Sequence, residues 1–404
     1  MPTDSAAGRG AESGEPAEAV GPLIRGLDIL RVLTEAGGAL ALSELSRESG
    51  LARSSVDRML ATLAALGYVR FHRRAVVLAP RLMELGNAYL RSVRIPALLG
   101  PLARQLSERL DEVVTVTVTN EAGAFLVHEA VRPRILVIVC HVGDRMPFDR
   151  CAGGALLAAD WDDERWERYA AGHQCAQDDG DARSCAEELR RRAERARSRG
   201  WALDDQWLEP GLIAVGIPVL APEGEYVCEV NVLSFTSRHE SAAEFADAVL
   251  PALGETVHEM QDVLRTASRP PHGDRSGEVR DVPSGPGVVE SLARGLRMLT
   301  VFSETRPDVS IADGARLTGL PRATVRRALI TLEHLGYVTQ TGGRYRPNAT
   351  VLSLGYPILT RLTLAQIVTP HLEALSAWTG HSASLASCTA TGRSCTSPGR
   401  RRRD

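Results

Sequence analysis

The sequence predicts an α+β fold in which two copies of a small helical unit flank a larger mixed domain. Three observations carry that expectation. Short residue strings near one end recur near the other at a constant spacing, strand-like runs cluster in the middle between helical segments, and two stretches poor in apolar residues separate the parts.

The repeat is the most informative of these. Arg25-Gly26-Leu27 returns as Arg294-Gly295-Leu296, Gly50-Leu51 as Gly319-Leu320, and Leu66-Gly67-Tyr68-Val69 as Leu335-Gly336-Tyr337-Val338, each at an offset of 269. Leu85-Gly86 against Leu354-Gly355 and Pro101 against Pro370 keep the same offset. A spacing held over about a hundred residues is the signature of a duplicated unit. The register fails further on, where the strand-like Phe125-Leu126-Val127-His128 faces Ser394-Cys395-Thr396-Ser397.

The 404 residues leave room for several domains, at about 100–200 residues each. Residues 1–20 and 266–287 are rich in Gly, Pro and charge without apolar periodicity, which predicts a disordered tail and an extended linker. The expected division is therefore a first helical unit at 21–88, a mixed domain at 89–265, a second helical unit at 288–357, and the truncated opening of a second mixed domain at 358–404. Each helical unit starts with an amphipathic helix, at 23–34 and 292–304. Two more follow, at 43–49 and 53–66 in the first copy and at 310–318 and 322–335 in the second, each pair joined through Gly-Leu at a tight turn.

On the third helix Val56, Leu60 and Leu63 share one face, as do Val325, Leu329 and Leu332. The opposite face is polar: Arg53, Ser54, Ser55 and Arg58 in copy one, Arg322, Thr324, Arg326 and Arg327 in copy two. A helix anchored by its apolar side with such residues near its N-terminus suits the DNA major groove, where Arg addresses guanine bidentately or neutralises phosphate. A short hairpin follows in each copy, carrying Arg73 and Arg74 in one and Arg344 after Gly342-Gly343 in the other, and a basic hairpin suits a wing against the DNA backbone. Together these features describe winged helix-turn-helix units; a small protein-interaction module is the alternative. The copies differ where Asp57 corresponds to Arg326, so copy two is expected to be the stronger DNA anchor, unless Asp57 accepts from a cytosine amino group.

Charge and cysteine usage bound the rest. With 47 basic against 50 acidic side chains the net charge is −3, so DNA contact must come from local patches. The longest apolar run, 135–140, is far short of the roughly 20 residues of a membrane helix. No basic-then-apolar leader is present, and a cytoplasmic protein with no membrane partner is expected. Seven scattered cysteines without CxxC spacing predict reduced thiols. His173, Cys175 and Cys185 match no usual zinc pattern, and neither metal nor cofactor is expected. No GxSxG, HExxH, P-loop or post-strand GxGxxG occurs, and Cys140 beside His141 would point to opposite faces of a strand. Catalysis is not expected.

In the mixed domain the expected elements are a helix at 101–110, strands at 113–118, 124–129 and 135–141, helices at 155–171 and 184–199, strands at 212–220 and 226–233, and a helix at 242–264. That order implies a curved, largely antiparallel sheet with helices on its faces, able to hold a small molecule.

The residues resemble the IclR family of bacterial regulators. Copy two carries Ser291-Leu292-Ala293-Arg294-Gly295-Leu296 and Gly319-Leu320-Pro321-Arg322-Ala323-Thr324-Val325-Arg326-Arg327, whereas copy one has Pro22 where the family opening has serine. The middle segments MPFDRCAGGALLAA (146–159) and GWALDD…PGL (200–212) are similar to the family's effector-domain motifs. The resemblance implies a GAF-like effector domain. It also implies double-stranded DNA and a small-molecule effector, most like the aromatic acids of the branch governing protocatechuate and 4-hydroxybenzoate catabolism, as partners, with association into homo-oligomers, dimers or tetramers. It places the effector pocket at Ala152 and Gly153, as backbone amide donors, with Asp204, Leu212, Ala214 and Asn231. Asp204 and Asn231 also have purely structural readings, Cys151 reads as a small buried side chain, and Arg150 as either an anion partner or a surface ion pair. A degraded or sensor-only protein without productive DNA binding is the alternative function.

Overall fold

The computed structural model describes residues 16–132, 140–172, 182–267, 285, 287–388 and 394–398. The predicted strand at 135–141, most of the predicted tail and linker, and His173 and Cys175 lie largely or wholly outside the described residues. The first unit runs α1 (Gly21–Glu35), β1 (Ala39–Ala41), α2 (Leu42–Ser49), α3 (Arg53–Ala65), β2 (Val69–His72) and β3 (Ala75–Leu78). Gly50 ends α2 in the left-handed region at φ 65°, a conformation in which glycine escapes the Cβ clash. A second turn of chain, α4 (Met83–Val93), leads into α5 (Ile95–Leu110), which starts six residues earlier than predicted and carries Pro101 inside it.

The central domain is built on β4 (Val113–Asn120), β5 (Gly123–Ala130) and β6 (Arg145–Met146). Then come α6 (Ala152–Leu157), α7 (Asp163–Gly172), α8 (Ala182–Arg199), β7 (Ala202–Asp205), β8 (Leu212–Leu220), β9 (Tyr226–Phe235) and α9 (Ala242–Thr266). Its strands form one antiparallel sheet in the order β6-β5-β4-β9-β8-β7. Alternation along the strands sends Val114, Val116, Ile213, Val215, Val230 and Val232 into one core under α5 and α9. The other face turns Thr115, Thr117, Glu229 and Asn231 towards α6. The helix expected at 155–171 is instead broken around Trp161, whose ring stacks on Phe148 with centroids 5.3 Å apart and joins Trp166 and Tyr169 in an aromatic cluster. That packing decided the break, which periodicity could not reveal. Cys185 is disulfide-bonded, which overturns the expectation of uniformly reduced thiols: bridging depends on through-space approach that spacing does not disclose.

The second unit repeats the first as α10 (Glu290–Leu299), α11 (Ile311–Thr318), α12 (Arg322–His334), β10 (Val338–Thr341) and β11 (Arg344–Pro347), followed by α13 (Tyr356–Thr360), α14 (Leu364–Thr379), β12 (Ser384–Cys388) and β13 (Ser394–Pro398). Here α11 has a full capping box, Ser310 Oγ accepting from the Asp313 amide while Asp313 accepts from the Ser310 amide. The first helix stops at Leu299, short of the predicted 304, because Val301 and Phe302 turn into the core and Ser303 pairs with Arg306 in an isolated bridge.

The two units pack on each other through α1 and α10. The Val20 amide donates to Thr331 Oγ1 at 2.9 Å, and the Val289 amide donates to Thr62 Oγ1 at 2.8 Å. A Cβ on Gly26 would stand 2.3 Å from a Leu292 methyl, and one on Gly295 would stand 2.5 Å from a Leu23 methyl. Every partner in one contact is the repeat equivalent of a partner in the other, so α1 and α10 meet about a pseudo-two-fold axis, with Leu23 and Leu292 both fully buried.

Candidate nucleic-acid interface and effector cavity

The two third helices turn the same faces outward. Val56, Leu60 and Leu63, and their counterparts Val325, Leu329 and Leu332, are completely buried, which fixes the rotation of each helix about its own axis. Arg53, Ser54, Asp57 and Arg58 are consequently exposed on α3, and Arg322, Ala323, Arg326 and Arg327 on α12, while Ser55 and Thr324 are half-buried at the flank. Neither helix has a side-chain cap on its N-terminal amides.

The wings are less alike. Arg73 and Arg74 form the two-residue turn between β2 and β3 and are exposed, with Arg73 in the left-handed region at φ 55° where copy two has Gly342. A non-glycine residue there costs about 1–2 kcal/mol, so the turn carries an arginine at a conformational cost. Arg344 behaves differently: its guanidinium is held by Asp308, whose Oδ1 it meets at 2.5 Å, and by Asp313 at 3.4 Å, while the more exposed Arg346 meets the other Asp308 oxygen at 3.5 Å. Sequence reasoning missed this because Asp308 lies far from the hairpin in the chain. It also passed over Phe71, 59% exposed on the first wing, where a large apolar side chain among basic ones is the available signal.

Arg326 is ion-paired with Glu18, and Arg327 Nε donates to the Glu18 carbonyl at 3.2 Å. The segment preceding α1 thus crosses onto the third helix of the other unit. The carboxylate holds the Arg326 guanidinium pKa above its ordinary value.

Beneath α6 a small, partly open cavity of about 30 Å³ brings together all six predicted effector residues: Ala152, Gly153, Asp204, Leu212, Ala214 and Asn231. Glu229 and Thr117 join them. Asn231 Nδ2 donates to Thr117 Oγ1 at 3.0 Å, and the Thr117 hydroxyl donates to Glu229 Oε1, which also accepts from Thr119 Oγ1 at 2.9 Å. Glu229 Oε2 has no hydrogen-bond partner although the residue is fully buried, and that burial pushes the carboxyl pKa up to about 8. Gly153 permits the approach, since a Cβ there would lie 2.3 Å from Glu229 Oε1. Asp204 is likewise raised by burial, to about 6, while its Oδ1 accepts from the amides of Trp207 and Leu208.

The nearby cations point elsewhere. Arg192 is buried and donates to the Asp149 and Cys151 carbonyls, and Arg150 donates to the Trp207 and Leu208 carbonyls, so both brace the walls. Cys151 caps α6, and burial raises its thiol to about 12, far from a reactive thiolate. Among the described residues no group of three or more His, Cys, Asp or Glu side chains could hold a metal ion. None of their helices is long and apolar enough to cross a membrane.

Two helix-turn-helix units with exposed polar third helices, joined to a sheet that lines a small, mostly apolar cavity with a few polar groups, define a ligand-responsive DNA-binding regulator. The comparisons agree. The IclR helix-turn-helix domain matches residues 22–73 and again 291–342, and the bacterial transcriptional regulator IclR C-terminal domain matches 87–261, together more than half of the chain. The chain belongs to the IclR family of transcription regulators. It is 26% identical over 242 residues to the Pca regulon regulatory protein of Pseudomonas putida, covering 59% of this chain and 83% of that protein. It is 25% identical over 251 residues to the p-hydroxybenzoate hydroxylase transcriptional activator of Acinetobacter baylyi, covering 60% and 91%. A solved chain from Rhodococcus sp. RHA1 superposes with a TM-score of 0.52 at 27% identity, over 62% of this chain and all of that one.

Proposed function

We propose that this regulator binds double-stranded DNA through α3 and α12 and releases or remodels that contact when a small aromatic carboxylic acid enters the cavity beneath α6. The observation that carries the reading is the pair of exposed polar helix faces, Arg53, Ser54 and Arg58 on one and Arg322, Arg326 and Arg327 on the other, each backed by a fully buried apolar face. Ser55 and Thr324 flank the groove-facing side. Arg73 and Arg74 meet the phosphate backbone, joined by Arg346 once it leaves Asp308, and Arg344 keeps the second wing in place through Asp308 and Asp313. In this reading the DNA readers lie at 21–88 and 288–357, around an effector domain at 89–265. The setting is the cytoplasm, and the chemistry is recognition rather than catalysis.

The acid effector is supported by the relatives, two of which are named for the Pca regulon and for p-hydroxybenzoate hydroxylase. It is also supported by Glu229, which burial keeps protonated at neutral pH and whose Oε2 is free to donate to a carboxylate. A benzene-sized guest needs a cavity of about 150 Å³, against about 30 Å³ here. Binding such a guest therefore requires the cavity to widen, and displacement of α6 from the sheet would carry the signal. Association of whole chains into a dimer or tetramer adds further such reader pairs, each pair supplied by one chain. Gel shifts of promoter fragments by the full chain at moderate salt, with and without protocatechuate and 4-hydroxybenzoate, test the reading: a shift altered by one of the acids supports it. A protein that shifts nothing is sensor-only.

A further inference from the structure

We propose that a single chain reads a non-palindromic operator, α3 and α12 addressing two unequal half-sites across the pseudo-two-fold axis between α1 and α10. The proposal rests on the DNA-binding reading above and adds what the DNA must look like. A two-fold operator needs two recognition helices in a fixed relation. Here that relation is set within one polypeptide, by the reciprocal Val20–Thr331 and Val289–Thr62 hydrogen bonds and by the reciprocal seating of Leu292 on Gly26 and of Leu23 on Gly295.

The symmetry holds in the backbone and the core and breaks on the groove-facing surface. Ser54 becomes Ala323 and Asp57 becomes Arg326, while Arg53 and Arg58 keep their counterparts Arg322 and Arg327. All of these residues are exposed. An arginine pairs bidentately with the O6 and N7 of guanine, whereas an aspartate accepts from the N4 amino group of cytosine and is repelled by phosphate. The half-site under α12 therefore carries guanine at the base step facing Arg326, and the half-site under α3 carries cytosine at the equivalent step facing Asp57. Glu18 holds Arg326 until DNA competes for it.

The test is selection of binding sequences from random duplexes by the full chain, with the mass of the resulting complex measured by native mass spectrometry. The expected result is a consensus of two half-sites that differ at the Asp57/Arg326 step, with one chain filling both. Scrambling either half should weaken binding at least about ten-fold, as for linked modules. Asp57→Arg, an exposed change, should bring guanine into the α3 half and make the consensus more nearly palindromic, whereas Arg326→Asp should alter the other half alone. A palindromic consensus, one chain per half-site, or both variants altering the same half would overturn the proposal while leaving DNA binding intact. A folded protein that enriches no sequence overturns the DNA-binding reading itself.

Discussion

The two helix-turn-helix units share a backbone and a core and differ where they face solvent. Val56, Leu60 and Leu63 match Val325, Leu329 and Leu332, all completely buried, and Thr62 and Thr331 do the same work on opposite sides of the axis. Against that, Asp57 stands for Arg326, Phe71 for Gln340 and the strained Arg73 for Gly342. Packing tolerates little change once a core is filled, so the duplicate keeps its fold residues, whereas the exposed face is free to acquire different base preferences. A second contrast sharpens the point. Helix α5 packs on α9 and the sheet, while its repeat equivalent α14 leaves Leu364, Leu375 and Trp378 exposed at 58%, 46% and 84%. The same helical pattern is core in one place and surface in the other, because burial depends on the layer laid against it.

The largest effects should fall on the shared core. Leu60→Ala and Leu329→Ala should each destabilise their unit by about 2–5 kcal/mol, and denaturant unfolding of the full chain should show two similar losses. A loss confined to one unit would break the equivalence. The next effect should separate the effector domain from the paired units. Glu229 takes a proton at about 8 when folded, against an ordinary value of 4.5. Between those values the native state binds a proton that the unfolded chain does not, so stability falls as pH rises through this range and levels off above it. Glu229→Gln should flatten that decline in thermal melts from pH 5 to 8, and an unchanged slope would remove Glu229 from the account. Thr62→Val leaves the buried Val289 amide, and Thr331→Val the half-buried Val20 amide, without its acceptor, and each should cost about 1–3 kcal/mol. Unequal losses would mean that the axis is less symmetric than its contacts imply. Smallest of all, Glu18→Gln frees Arg326 from an exposed ion pair and should raise DNA affinity by no more than a few-fold in titrations at low salt, with no gain at high salt.

Much of this was legible in the sequence. Strand β8 runs over 212–220 as read from its residues, and α11, α12 and their turn fall within one residue of expectation, because apolar periodicity and a Gly turn are local signals. The short β1, β6 and β7 carry no such signal, and α4 spans the boundary between the first unit and the mixed domain. The packing of α1 on α10 was invisible, since nothing local distinguishes a helix that covers its own unit from one that covers its twin. In the cavity, the sequence points to Asn231 and not to Glu229, although strand alternation places residues two apart on one face. A lone charge in the run YVCEVNVLSF reads as a solvent-facing residue, and only the fold shows Gly153 making room for it.

The central claim is that α3 and α12 are held as one rigid pair, and the spacing of the half-sites tests it most directly. On a selected operator, inserting about half a helical turn, roughly 5 base pairs, between the half-sites rotates one away from its helix. The full chain should then lose at least about ten-fold in affinity, to the level of a single half-site. Unchanged affinity on the lengthened operator would mean that the two helices move independently, and would contradict the account.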